Sequence, residues 1–223
     1  MATPTAASER MNRPGGATEA AARVGEPARA LLAPGQTPAA FLHALVAAGH
    51  LTDAVRVVAT VLPRREAAWW AVRCVRTVPA ALTDPKAIAA LDAAEKWIIN
   101  PNDDTRRAAF TAAEAAGVGT PAGCVGTAVF LSEGSLAPPK LPVVAPAPHL
   151  APAAAANAAI LASVIAEPER AAEKLARFVA LGREVAAGTN RWAEAKKSVP
   201  PPTTALPPAP RPATIPPPPP WRS

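Results

Sequence analysis

From Thr37 to Gly188, apolar positions recur every three or four residues, and prolines, cap residues and glycines cut them into short runs. That spacing predicts amphipathic helices. Thr37-Pro38 reads as an N-cap followed by a proline in the first turn, with Phe41, Leu42, Leu45 and Val46 as the buried stripe and Gly49 as the stop. Thr52-Asp53 opens a second helix carrying Val55, Val58, Ala59 and Leu62 on one face. Pro63 opens a third, which runs through Trp69-Trp70 to about Val78, where Pro79 ends it. Thr83-Asp84-Pro85 caps a fourth, reaching Ile99. Asn102-Asp103-Asp104 starts a fifth that stops at Gly117, and Thr120-Pro121 starts a sixth that runs to Gly134. Two more cover about 151–166 and 168–187, split at Glu167-Pro168 and closed by Gly188, with a short extension through Trp192. No segment alternates as a strand does. The expected fold is all-α, a compact bundle of about seven or eight short antiparallel helices.

Residues 134–150 break the pattern. Their prolines forbid a long helix, yet Leu136, Leu141, Val143 and Val144 are too apolar for a solvated linker, which predicts an extended strap lying on the helical surface. Residues 1–26 lack sustained periodicity and read as a disordered tail; residues 197–223 read as a second tail, 12 prolines lying between 200 and 223. The helical domain is thereby placed at 27–196. Ala44–Pro63 resembles the second half of a tetratricopeptide-type hairpin, with Gly49 for the turn and Ala54 for close approach. No second copy follows at the period of about 34 residues that such arrays need, so a bundle is expected instead.

Composition sharpens the packing problem. Half of the residues are hydrophobic, but many are alanine, and only four Phe and five Trp supply large side chains. The tryptophans are therefore the natural core anchors. Net charge is +6. The basic residues are dispersed among acidic ones, without the clustered face that phosphate backbones require, so nucleic-acid binding is not expected. Cys74 and Cys124 sit in apolar helical patterns and form neither a disulfide framework nor a zinc motif. The beginning of the chain lacks the apolar core of a secretion signal, and the longest apolar run, Ala153–Ala166, is too short to span a bilayer. A cytoplasmic protein without a transmembrane segment, metal or cofactor is the expectation.

Chemistry-bearing residues concentrate in the third helix. Arg65, Trp69, Arg73 and Arg76 share one face at i, i+4, i+8 and i+11, while Glu66, Trp70 and Cys74 lie on an adjoining face. Two readings follow. Arg65, Glu66, Trp69, Trp70, Arg73 and Arg76 form a surface for an acidic partner or an anion, with Trp69 stacked between guanidinium groups. Alternatively, the tryptophans are core anchors and the arginines lie over their edges. His43, His50 and His149 have no partners at catalytic or metal-binding spacing, and Asp103-Asp104 falls where first-turn carboxylates cap free N–H groups. No catalytic residue is assigned. Protein interaction is the leading expectation, through the Arg/Trp helix and the strap; a small-molecule or anion pocket near Glu66, Trp70 and Arg73, or an unrecognised enzyme there, is the alternative.

Leu62-Pro63-Arg64-Arg65-Glu66-Ala67-Ala68-Trp69-Trp70, together with Gly134-Ser135-Leu136-Ala137-Pro138-Pro139, resembles an uncharacterised family of bacterial alanine-rich helical proteins. The resemblance extends over roughly 38–187. It implies a bacterial setting and transfers no activity and no site residue.

Overall fold

The computed structural model describes residues 5–189 and Trp192. Regular structure there is helical throughout: α1 (Ala6–Asn12), α2 (Ala17–Ala21), α3 (Glu26–Arg29), α4 (Pro38–Ala47), α5 (Leu51–Val61), α6 (Arg64–Arg76), α7 (Pro85–Ile99), α8 (Asp103–Ala116), α9 (Pro121–Phe130), α10 (Leu150–Val164) and α11 (Ala171–Ala186), with 3-10 turns at Pro79–Leu82 and Pro168–Arg170. The all-α class is as expected. The eight helices read from the pattern are α4 to α11.

Side-chain caps explain why their starts were readable. Thr37 accepts from the Ala40 N–H, Asp84 from Lys86, Asn102 from Thr105 and Thr120 from Gly123. At the other end of α4, Gly49 takes a φ of 78°, the left-handed conformation that lets the chain turn sharply into α5. One start differs. α5 begins at Leu51 rather than Thr52, and the Asp53 carboxylate accepts instead from the Gly25 N–H at 3.1 Å and from Arg56 at 2.9 Å.

That contact belongs to a larger correction. Residues 5–26 do not form a tail. α1 and α2 bury Ala7, Met11, Ala17, Ala20 and Ala21, and Val24 follows them into the core. They dock on α4, α5 and α11. The Thr5 hydroxyl donates to the Ala186 carbonyl at 2.8 Å. Backbone bonds from Gly15 to Gly35 and from Ala17 to Gln36 add two further ties. The proline-rich stretch from 197 onwards lies outside the described residues, as do Asn190 and Arg191.

Alanine sets the spacing of the bundle. α10 packs against α5, α6, α9 and α11. Ala155, Ala158, Ala159 and Ala162 are wholly buried along it, so neighbouring backbones approach closely. Trp70, Trp97, Phe41 and Phe178 fill the space that alanine leaves. The Trp70 indole N–H reaches the Phe178 carbonyl on α11 at 2.8 Å, so this fully buried anchor leaves no polar atom unpaired.

The strap is irregular, as its prolines require, but it does not lie flat on the helices. Leu141, Val143 and Val144 are exposed by 57%, 79% and 52%. Only its root is tied down.

Candidate functional site

The arginines of α6 each find partners elsewhere in the fold. Arg65 reaches across to the C-terminal end of α7 and donates to the carbonyls of Ile98 and Ile99, supplying donors to a helix end that lacks them. Its guanidinium also covers the Trp192 ring at 4.5 Å, so the stacking expected on Trp69 forms on a different tryptophan. Trp69 is half-buried and meets Trp192 edge-on, centroids 6.4 Å apart. Arg73 lies 3.9 Å from Glu184, and Arg76 clamps Asp92 at 2.7 Å and Glu95 at 2.6 Å. Trp70 is fully buried, which removes it from any surface. Neither Trp70 nor Arg73 lines the cleft that Glu66 joins.

That concave feature is lined by Glu66 together with Arg64 and Arg65. The cleft, of about 1090 Å³, is bounded by α1 and the segment after α2, the junction of α5 and α6, the ends of α7 and α9, and the start of α10. Burial pushes the Glu66 carboxyl above its usual range, against the opposing pull of its own backbone N–H and of Arg65 and Arg10. Glu66 thus sits in a partly desolvated position beside two guanidinium groups. His149, read from the sequence as part of the proline-rich strap, joins the cleft wall.

A second arrangement lay beyond sequence reading altogether. Arg106 on α8 is 1% exposed, and its guanidinium lies 4.7 Å from the Phe130 ring centroid. It donates to the Phe130 carbonyl at 2.7 Å, to the Ser135 carbonyl at 2.9 Å and to Asp103. Arg107 donates to Asp103 at 2.7 Å and to the Ala137 carbonyl at 2.8 Å. Asp103 therefore orients two arginines rather than capping free N–H groups. Hydrogen bonds from Arg107 and then Arg106 hold its carboxyl below the usual range. Ser135 Oγ accepts from Ala137 and Val144, and the Leu136 N–H donates to the Val144 carbonyl at 2.8 Å. The loop 135–144 is closed on itself and clamped at its root, while its apolar tip faces solvent.

Nothing in these arrangements assembles a nucleophile with a base. Burial pushes both the Cys74 and Cys124 thiols up, which leaves them protonated at neutral pH. Among the described residues no three His, Cys, Asp or Glu side chains converge as a metal site, and no helix is long and apolar enough to cross a membrane.

The model of a family of unknown function, DUF6931, matches residues 41–186. The chain belongs to this family. The DUF6931 span takes in all but the first residues of α4 and ends with α11, so it contains the clamped loop and the α5–α6 side of the cleft. It leaves out α1 and α2, which supply the opposite wall. No curated protein and no solved structure matches the chain.

Proposed function

We propose that this chain is a non-enzymatic interaction domain, an accessory subunit of a bacterial assembly, and that the tip of the 135–144 loop is its docking surface. One observation carries the reading. Leu141, Val143 and Val144 stand clear of the core on a loop whose root is fixed by two arginines, one of them fully buried. A loop fixed at its root has less conformational freedom to lose when its apolar tip meets a partner, which is how binding loops gain affinity. The occupant that fits is an apolar depression on a partner protein, rimmed by carboxylates that meet the exposed Lys140 beside the tip. Arg73 and Arg76, held in ion pairs within the fold, do not favour α6 as that docking surface.

The test begins with a photo-crosslinking residue at position 143 in the native host and, for comparison, at the exposed Ile88 on α7. A partner trapped from 143 and not from 88 is then titrated, as pure protein, against the parent chain and against Leu141→Asp/Val143→Asp/Val144→Asp. The expected result is a loss of affinity of roughly a hundredfold with an unchanged melting temperature, because exposed apolar side chains act at the interface and not in the core. Equal affinity of the triple variant, or crosslinks to a second copy of the chain alone, overturns the proposal.

A further inference from the structure

The cleft beside α6 carries an inference independent of the loop. Five arginines line it, Arg10, Arg23, Arg56, Arg64 and Arg65, against three glutamates. What each one touches decides how much charge is available. Arg56 is neutralised by Asp53 at 2.9 Å. Arg64 donates to the Ser132 carbonyl at 2.6 Å and Arg65 to the carbonyls of Ile98 and Ile99, so both are positioned by neutral acceptors and keep their charge. Arg10 and Arg23 are exposed and make no side-chain hydrogen bond or ion pair among the described residues. On the acidic side, Glu19 is taken by Arg13 at 3.3 Å, which leaves Glu66 and Glu133. Four guanidinium charges thus face two carboxylates.

Volume and lining restrict what could answer that charge. At about 1090 Å³ the cleft is large for a lone inorganic ion and matches a metabolite-sized molecule. One part of its wall is apolar, formed by Leu62, Trp97 and Ala156 with Pro148 and Pro152. Trp97 is 2% exposed, and its indole N–H has no acceptor among the described residues, a buried donor left unmatched in the wall.

We infer that this cleft binds a small organic polyanion, a phosphate ester or polycarboxylate whose charged end meets Arg10, Arg23, Arg64 and Arg65 and whose less polar body lies on the Trp97 wall. The guanidinium groups come from α1, the segment after α2, and the start of α6, and so converge on one volume from separate parts of the chain. Convergence suits a compact ligand better than an extended acidic peptide, which needs charges strung along a track. Two of the four arginines precede the family-matched span, so the ligand preference belongs to this chain's own N-terminal helices. Glu66, beside Arg10 and Arg65, competes with the ligand for both.

Calorimetric titration of the full chain at low ionic strength tests this with four probes: pyrophosphate, citrate, adenosine diphosphate and an octaglutamate peptide. Saturable binding of pyrophosphate or citrate is expected, and the comparison shows whether phosphate or carboxylate is preferred. Adenosine diphosphate is expected to bind more tightly than pyrophosphate if phosphate is preferred, because its base adds contact with the apolar wall. Arg10→Ala/Arg23→Ala weakens binding roughly tenfold or more, since charge-assisted bonds are lost without disturbing any fold contact. Arg183→Ala, on the exposed face of α11, changes nothing. Glu66→Gln tightens binding by roughly threefold or more, a gain that a merely structural role for Glu66 does not produce. The inference is overturned if no small probe saturates, if the double arginine variant binds like the parent, or if octaglutamate binds more tightly than every small anion.

Discussion

Gly126 on α9 lies where α8 comes closest. A Cβ built there would stand 2.6 Å from the Ala109 carbonyl oxygen and 2.7 Å from the Ala113 Cβ. The first obstacle is backbone, so it cannot rotate aside. Gly126→Ala must push α8 and α9 apart, and a destabilisation of about 1–3 kcal/mol is expected from overpacking of this kind. Thermal unfolding followed by circular dichroism measures it, with Gly119→Ala as the comparison, because a Cβ at Gly119 meets nothing within 4 Å. An unchanged melting temperature for Gly126→Ala would show that the helices are not in the contact described. At this scale the sequence was readable for burial and unreadable for partners. Trp70 was one of the tryptophans expected as anchors by size alone and is buried. The destination of Arg65, a carbonyl 33 residues away, leaves no mark in any local pattern, because a backbone acceptor has no residue identity. Arg76 finds acids 16 and 19 residues on, across a helix junction whose angle periodicity does not report.

At the scale of elements, the starts of α4, α6, α7, α8 and α9 were legible because each lies at a capping side chain or a proline with one physical role, while the loop 135–144 was legible only as something that is not a helix. Its shape depends on Arg106 and Arg107, and their effect can be tested through the amides they hold. Arg106→Lys keeps the charge but loses the planar fork that reaches the Phe130 and Ser135 carbonyls together. The Leu136 and Val144 amides are then expected to exchange with solvent about tenfold faster or more, while amides in α10 keep their protection. Acid should act on the same clamp. The Asp103 carboxyl is held below its usual value of 3.8, so its contribution is fully present above about pH 4 and fades as the pH falls through the lowered value. Loop amides that stay protected in Arg106→Lys would mean that the backbone bond between Leu136 and Val144 holds the loop unaided.

For the molecule as a whole, the N-terminal helices were the part that pattern could not reveal. α1 and α2 have seven and five residues, too short to be stable in isolation and too rich in alanine, threonine and glycine to show a stripe. Their order comes from docking. Met11 and Val24 insert between alanines that fit against α4, α5 and α11, and Arg29 holds the Ala21 and Val24 carbonyls at 3.1 and 3.0 Å. Burying so few methylene groups, at about 0.8 kcal/mol each, is set against the entropy of ordering some twenty residues, so the net contribution should be a few kcal/mol. Deleting residues 2–24 is therefore expected to lower the urea midpoint and reduce the denaturant slope, while α4 to α11 keep their helical circular dichroism. The slope matters as much as the midpoint: it falls only if the deleted segment buried surface in the intact protein. A truncated chain with the same midpoint and the same slope would mean that these residues contribute no packing. The deletion also removes Arg10 and Arg23, so a truncated chain that keeps its helices but no longer binds pyrophosphate or citrate would link the docking of these helices to the cleft they wall, through one segment that the family-matched core does not contain.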